Sequence, residues 1–244
     1  MNVNGKVILV TGASAGIGLA TASLLARNGA RLALNSRSRD KLERLAQTLP
    51  GSAVFPADMA DETAVRQMIA NVHDKFGRLD VLVNNAGRGM SWPVEKIDTG
   101  QYRELLELNL IGPLVAMRAV IPIMRGQGGG AIVNISSGTA LMYAPSLGGY
   151  SATKRALNGL TLTARGELAK DGISVGVVYP YVTKTDFYRD MIVGEDAPKI
   201  SADEVTVGRP PADSAEYVAE LIMTAITTGE AEIFAHEWMK KMMQ

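Results

Sequence analysis

The chain has 244 residues, its 25 basic and 25 acidic side chains cancel, and 47% of it is hydrophobic, enough for one α/β domain with a large core. No Lys or Arg run exceeds two residues, which excludes an electrostatic footprint for nucleic acid or an anionic membrane. The absence of cysteine excludes disulfides, thiolate zinc sites and a Cys nucleophile, and His73 and His236 have no partner at ligand spacing, so no metal is expected.

Met1 leads through NVNGK directly into an apolar β-branched run, without a signal-like segment, and no apolar run approaches membrane-spanning length; a cytoplasmic protein is the expectation. Short β-branched runs then alternate with segments of helical period. Strands are expected over 6–10, 31–35, 53–56, 81–84, 131–135, 174–179 and 232–235, and helices over 17–28, 39–48, 62–76, 102–125, 150–170 and 215–227. Asn28-Gly29 and Asp171-Gly172 supply helix stops. The alternation predicts a Rossmann-like, doubly wound α/β domain: a mostly parallel seven-stranded sheet with helices on both faces. A connection from Thr183 to Asp213, holding Pro198, Pro210 and Pro211, is too long for an ordinary loop and reads as a flap over a site.

The first strand is followed by TGASAGIG, in which Gly12, Ser14, Gly16, Ile17 and Gly18 lead into a helix. Glycines let backbone N–H groups approach a pyrophosphate, and a helix N-terminus adds partial positive charge, so this turn is a candidate dinucleotide grip; a plain glycine-rich turn is the alternative. No Lys-Ser/Thr pair follows, which rules out a nucleoside-triphosphate loop. The second strand ends in LALNSRS, with Arg37 where NAD enzymes place a carboxylate on the ribose 2′-hydroxyl. A guanidinium suits a 2′-phosphate, so NADP(H) is favoured over NAD(H), the alternative being a solvated surface charge. Asp58 and Met59, in PADMAD after the third strand, are candidates to meet the adenine.

Taken in order, Thr11 to Gly18, Asn84-Asn85-Ala86-Gly87, Asn109, Ser137, and Tyr150 with Lys154 resemble the short-chain dehydrogenase/reductase family over essentially the whole chain. The resemblance implies hydride transfer between a nicotinamide cofactor and a carbonyl or secondary alcohol carbon. It makes Tyr150 the acid/base, Lys154 the cation that lowers its pKa, Ser137 a donor to the substrate oxygen, and Asn109 the residue that distorts its helix and holds a water. Pro113 supports that distortion, because it lacks the N–H that would bond the Asn109 carbonyl. Strand alternation is expected to turn Ser136 away from the site. Asn85, Ala86, Gly87, Pro180, Thr183 and Thr185 match cofactor positions.

Tyr181 departs from the pattern by standing where the family has glycine, and the ending EAEIFAHEWMKKMMQ lacks the family's VDGG segment. A docked tail is expected there, with a lid as the alternative. The expected pocket wall is Met90, Trp92, Leu141, Tyr143, Leu147, Tyr181, Phe187, Tyr188 and Met191, an apolar set suited to a lipophilic ketone. A 3-oxoacyl-thioester reductase and a non-catalytic NADP-sensing or scaffold protein are the alternatives. The family also implies a homodimer or homotetramer through the helices at 102–125 and 150–170.

Overall fold

Buried β-branched runs and amphipathic segments alternate along the chain, and in the computed structural model, which describes residues 1–195, 197, 202, 206 and 210–243, they close into βα units. β1 (Val7–Thr11) is followed by α1 (Gly16–Arg27), β2 (Arg31–Asn35) by α2 (Arg39–Thr48), and β3 (Ala53–Val54) by α3 (Glu62–Phe76). β4 (Val81–Asn84) leads through the short β5 (Met90–Ser91) to α4 (Thr99–Leu106) and α5 (Gly112–Gly126). β6 (Gly130–Ile135) leads to α6 (Gly148–Leu168), and β7 (Ile173–Tyr179) to the short β8 (Ile192–Val193) and α7 (Ala215–Thr228). β9 (Glu232–Phe234) and α8 (Glu237–Lys240) follow. The side chains of Asp61, Asp98 and Ser214 accept backbone N–H groups at the starts of α3, α4 and α7, which satisfies donors a helix leaves open.

The seven-stranded sheet has the order β3-β2-β1-β4-β6-β7-β9, and every ladder is parallel. Alternation along the strands builds two cores. Ile8 and Val10 pack with Leu25 of α1 and Ile222 of α7, whereas Val7 and Leu9 pack on the other face with Val72 of α3 and Val120 of α5. Strand order reverses between β1 and β4, and at such a switch point a crevice opens beyond the carboxyl ends of the strands.

The helix expected at 102–125 begins earlier, at the Asp98 cap, and is not uniform: a π-turn over Glu107–Ile111 separates α4 from α5. Pro113 explains it by removing the N–H that would continue the ladder onto Asn109. As one continuous helix Thr99–Gly126 has a window of mean hydropathy 1.5, long and apolar enough to cross a membrane, contrary to the expectation of no such run. Its residues Val115, Ala116, Val120 and Met124 are buried core, while 39% of the apolar window as a whole is buried.

A second ladder joins β5 and β8 and lay outside the expected strands, because each contributes only two residues. It pins the segment expected as a flap at 183–213 at Ile192–Val193, and a bridge between Thr183 and Asp213 ties its two ends together. Residues 196, 198–201, 203–205 and 207–209 of that segment, Pro198 among them, lie outside the described residues.

Gly112 sits where the helix crosses the turn after β3, and a Cβ there would lie 2.0 Å from the Met59 carbonyl oxygen. Backbone cannot yield as a flexible side chain would, so Gly112→Ala is expected to cost at least the ~1–3 kcal/mol of an overpacked core, read as a lowered urea midpoint.

Candidate active site

The crevice is built from the strand ends inward. Thr11, at the end of β1, donates its hydroxyl to the Val83 carbonyl at 3.3 Å and accepts the N–H groups of Asn85 and Ala86 at 3.0 Å each. Asn85 returns a bond from Nδ2 to the Thr11 carbonyl at 2.9 Å. These bonds lock the turn after β1 to the turn after β4. Gly12 has φ 67°, and a Cβ on it would meet Asn85 Nδ2 at 2.9 Å; on Gly18 it would meet the Gly12 carbonyl oxygen at 2.2 Å. The start of α1 carries no side-chain cap and no acidic residue, so its positive end is open to an anion.

From this turn a cavity of about 240 Å³ runs along Gly12, Gly16 and Ile17, past Asn85, Ala86 and Gly87, to Ser137, Tyr150 and Lys154. Pro180, Tyr181, Thr183 and Thr185 form the opposite side, and a Cβ on Gly16 would come within 3.1 Å of the Thr185 side chain. An open helix N-terminus, glycines at close backbone approach and a cavity of mixed polar and apolar lining that reaches a buried ammonium fit a nicotinamide dinucleotide.

Tyr150 and Lys154 lie one helical turn apart on α6 and are 6% and 4% exposed, so their titration is set by burial rather than by solvent. Lys154 Nζ donates to the Ile135 carbonyl at 2.8 Å and lies 6.0 Å from the Tyr150 ring centre. Burial lowers the Lys154 pKa to about 8. Burial also raises that of Tyr150, partly offset by a hydrogen bond from Ser137 that favours the phenolate, with Tyr188 adding to the rise. Burial is the largest influence on the phenol, and its direction is opposite to the lowering expected from Lys154. Ser137 Oγ accepts the Thr139 N–H at 3.2 Å and meets the Thr139 hydroxyl at 3.0 Å.

Asn109 is fully buried at the π-turn. Its side chain clamps Arg88, accepting the Arg88 N–H and donating to the Arg88 carbonyl at 2.9 Å each, and reaches Thr153 Oγ1 at 3.2 Å. Ser136, expected to face away, lines the cavity beside Ser137. Strand alternation stops applying because β6 ends at Ile135. The Ser136 hydroxyl is buried without a partner among the described residues.

Ser14, Gly18, Arg37, Asp58, Met59 and Asn109 are not among the residues lining the cavity. Asp58 accepts the Ala60 N–H, and Met59 is buried core. Of the expected pocket wall, Tyr181, Phe187 and Tyr188 line the cavity, with Phe187 5.7 Å from the Tyr150 ring and burial raising the Tyr188 pKa to about 12. The other members stand outside this cavity's lining. Met90 is fully buried in β5 and packs beneath Tyr150, with Trp92 in the same cluster. Leu141 packs against Val177 and Met239, and Met191 is buried beside Gly89. Leu147 stands at the N-terminus of α6, outside the cavity, and Tyr143 is 91% exposed, laid over Arg155. Apolar character alone marked these residues, and it does not distinguish a pocket wall from core.

Three charged residues missed by the sequence reading, Arg88, Asp186 and Asp190, also line the cavity. The tail docks: Met239 is buried, and Trp238 sits edge-on to Tyr181 at 5.4 Å. His236, without a partner at ligand spacing in sequence, meets Asp213 at 3.1 Å, while no group of three metal-ligating side chains occurs among the described residues.

The short chain dehydrogenase family model matches residues 6–195. The chain belongs to this family of oxidoreductases. A relative, the 3alpha-hydroxysteroid dehydrogenase of Mediterraneibacter gnavus, is 36% identical over 193 residues, 76% of this chain and 77% of the relative. The short-chain dehydrogenase of Burkholderia phymatum in complex with NAD superposes with a TM-score of 0.89 at 26% identity, covering 100% of this chain and 93% of that one. The 3-ketoacyl-(acyl-carrier-protein) reductase of Brucella melitensis, complexed with NADH, gives 0.85 at 26% identity, covering 95% and 97%.

The buried ammonium sets a stability prediction. Its folded pKa of about 8 lies below the unfolded 10.5, so the unfolded chain holds more protons between those values and stability rises with pH across that window. Below pH 8 the penalty is fully present. Lys154→Met should therefore stabilise the fold at pH 7 by up to roughly 3 kcal/mol, at about 1.36 kcal/mol per pKa unit. The advantage should shrink as pH rises toward 10, measured by urea unfolding of both proteins.

Proposed function

We propose that this short-chain dehydrogenase is NADP(H)-dependent and interconverts a lipophilic ketone and its secondary alcohol, with Tyr150 as acid/base. The observation that carries the reading is one continuous cavity joining the glycine turn to Ser137, Tyr150 and Lys154. The cofactor would lie along Gly12, Gly16, Ile17, Asn85, Ala86 and Gly87, with Thr183 and Thr185 at its carboxamide end, and when bound it gives or takes the hydride. Ser14, Gly18, Asp58 and Met59 would shape the turn and the adenine end. Tyr150, held protonated by burial, gives its proton to the carbonyl oxygen during reduction. Ser137 donates to the same oxygen, and Thr139 fixes the Ser137 hydroxyl by occupying its acceptor side. Lys154 holds positive charge beside the phenol, and Asn109 holds the turn on which this end of the site rests.

The NADP preference rests on Arg37, which is exposed just past β2 and has no ion pair among the described residues. The Burkholderia and Brucella neighbours carry NAD and NADH and lend this preference no support, so it stands on Arg37 alone. The lipophilic substrate rests on Tyr181, Phe187 and Tyr188 at the cavity's far end. Reduction of a 3-oxoacyl thioester is the second reading, supported by the Brucella neighbour's name. Assembly as a homodimer or homotetramer through α4, α5 and α6 is supported by half-buried Leu108, Leu114 and Ile121 along the apolar helix.

With NADPH and a panel of ketones, Tyr150→Phe should reduce turnover by about 10²–10⁴-fold, the scale of general acid–base catalysis. Undiminished turnover would remove Tyr150 from the mechanism. Separately, Arg37→Asp should shift the NADPH-over-NADH preference by about 10- to 100-fold toward NADH, as loss of a charge-assisted phosphate contact requires. An unchanged ratio of kcat/KM values would make Arg37 a surface charge.

A further inference from the structure

Arg88 is fixed at three points. Its backbone N–H and carbonyl are both held by the Asn109 side chain, and its Nε donates to the Asp190 carbonyl at 2.6 Å. It stands next to the catalytic end of the cavity, since a Cβ on neighbouring Gly87 would lie 3.4 Å from Lys154 Nζ. Its terminal nitrogens have no hydrogen bond, and no carboxylate pairs with it, among the described residues. Arg88 is exposed and its guanidinium is held at Nε alone, which leaves the paired terminal nitrogens to meet a planar anion.

The two carboxylates in the same lining do not cancel it. Asp186 and Asp190 are each engaged by Arg189, at 3.1 and 3.6 Å. Arg189 offsets one of the two negative charges, so with Arg88 and Lys154 these five side chains sum to one positive charge. The nearby wall is aromatic: Tyr181, Phe187 and Tyr188.

We propose that the substrate is an amphipathic ketone or alcohol carrying an anionic group, and that Arg88 holds this group while the aromatic wall takes the apolar body. The inference rests on the ketone-reducing reading above and narrows its substrate class. The anion is placed on the substrate rather than on the cofactor because the glycine turn and α1, at the other end of the cavity, already provide for the dinucleotide phosphates.

The test compares an aryl keto acid, benzoylpropionate, with its methyl ester, in reduction by NADPH and in thermal-shift binding to the NADP-saturated protein. The wild type should favour the acid by about 10- to 100-fold in kcat/KM, mainly through KM, and should be stabilised more by the acid. In Arg88→Leu the acid-over-ester ratio should fall to near one, and Arg88→Lys should restore part of it. Equal handling of acid and ester by the wild type in both readouts would overturn the proposal, as would a loss in Arg88→Leu that falls on the KM of NADPH equally with either ketone. Failure of the ketone-reducing reading has a different signature: neither compound is reduced, and the acid-over-ester preference is then judged on binding alone.

Discussion

A single costly placement organises the site: the ammonium of Lys154, 4% exposed, held by one hydrogen bond to the Ile135 carbonyl. An amine in such surroundings resists carrying its charge, and its pKa falls to about 8. Its surroundings are rigid accordingly. Ile135 belongs to β6, which is paired on both sides in the sheet, and Lys154 sits on the long helix α6 packed beneath the cavity. The same burial keeps the Tyr150 phenol protonated, so stability is traded for a pair of groups poised away from their solution behaviour.

The rest of the architecture brings the cofactor trough to that pair. Parallel strands place their carboxyl ends on one edge, and the reversal of order between β1 and β4 leaves room for the dinucleotide. The Thr11 and Asn85 bonds tie the two turns on either side of the gap, so the glycine turn cannot drift from the strand that leads to Arg88. The π-turn then turns Asn109 inward, where its amide spans Arg88 and Thr153 and links α6 to the turn after β4. The irregularity in one helix thereby aligns two cavity walls.

Much of this was legible in the sequence because it depends on local chemistry. The strands at 31–35 and 81–84 and the helices at 39–48 and 62–76 stand where β-branched runs and helical period put them. Pro113 foretold the irregularity at Asn109, and Gly12, Gly16, Ile17, Asn85, Ala86, Gly87, Ser137, Tyr150 and Lys154 line one cavity, while Ser14, Gly18, Asn84 and Asn109 stand outside its lining. The pocket wall was much less legible. Met90 and Leu141 are as apolar as Phe187, and only tertiary packing sends the first two into core. Arg88 gave no signal beyond a charge after a glycine, since its role depends on contacts with residues 21 and 102 positions away. The direction of the Tyr150 shift depends on a depth of burial that periodicity does not report.

The most direct measurement is an NMR titration of Lys154 in selectively labelled protein, assigned by comparison with Lys154→Met. A transition near 8 is the expected result, and one near the ordinary 10.5 would contradict the central claim that burial sets the chemistry of this site.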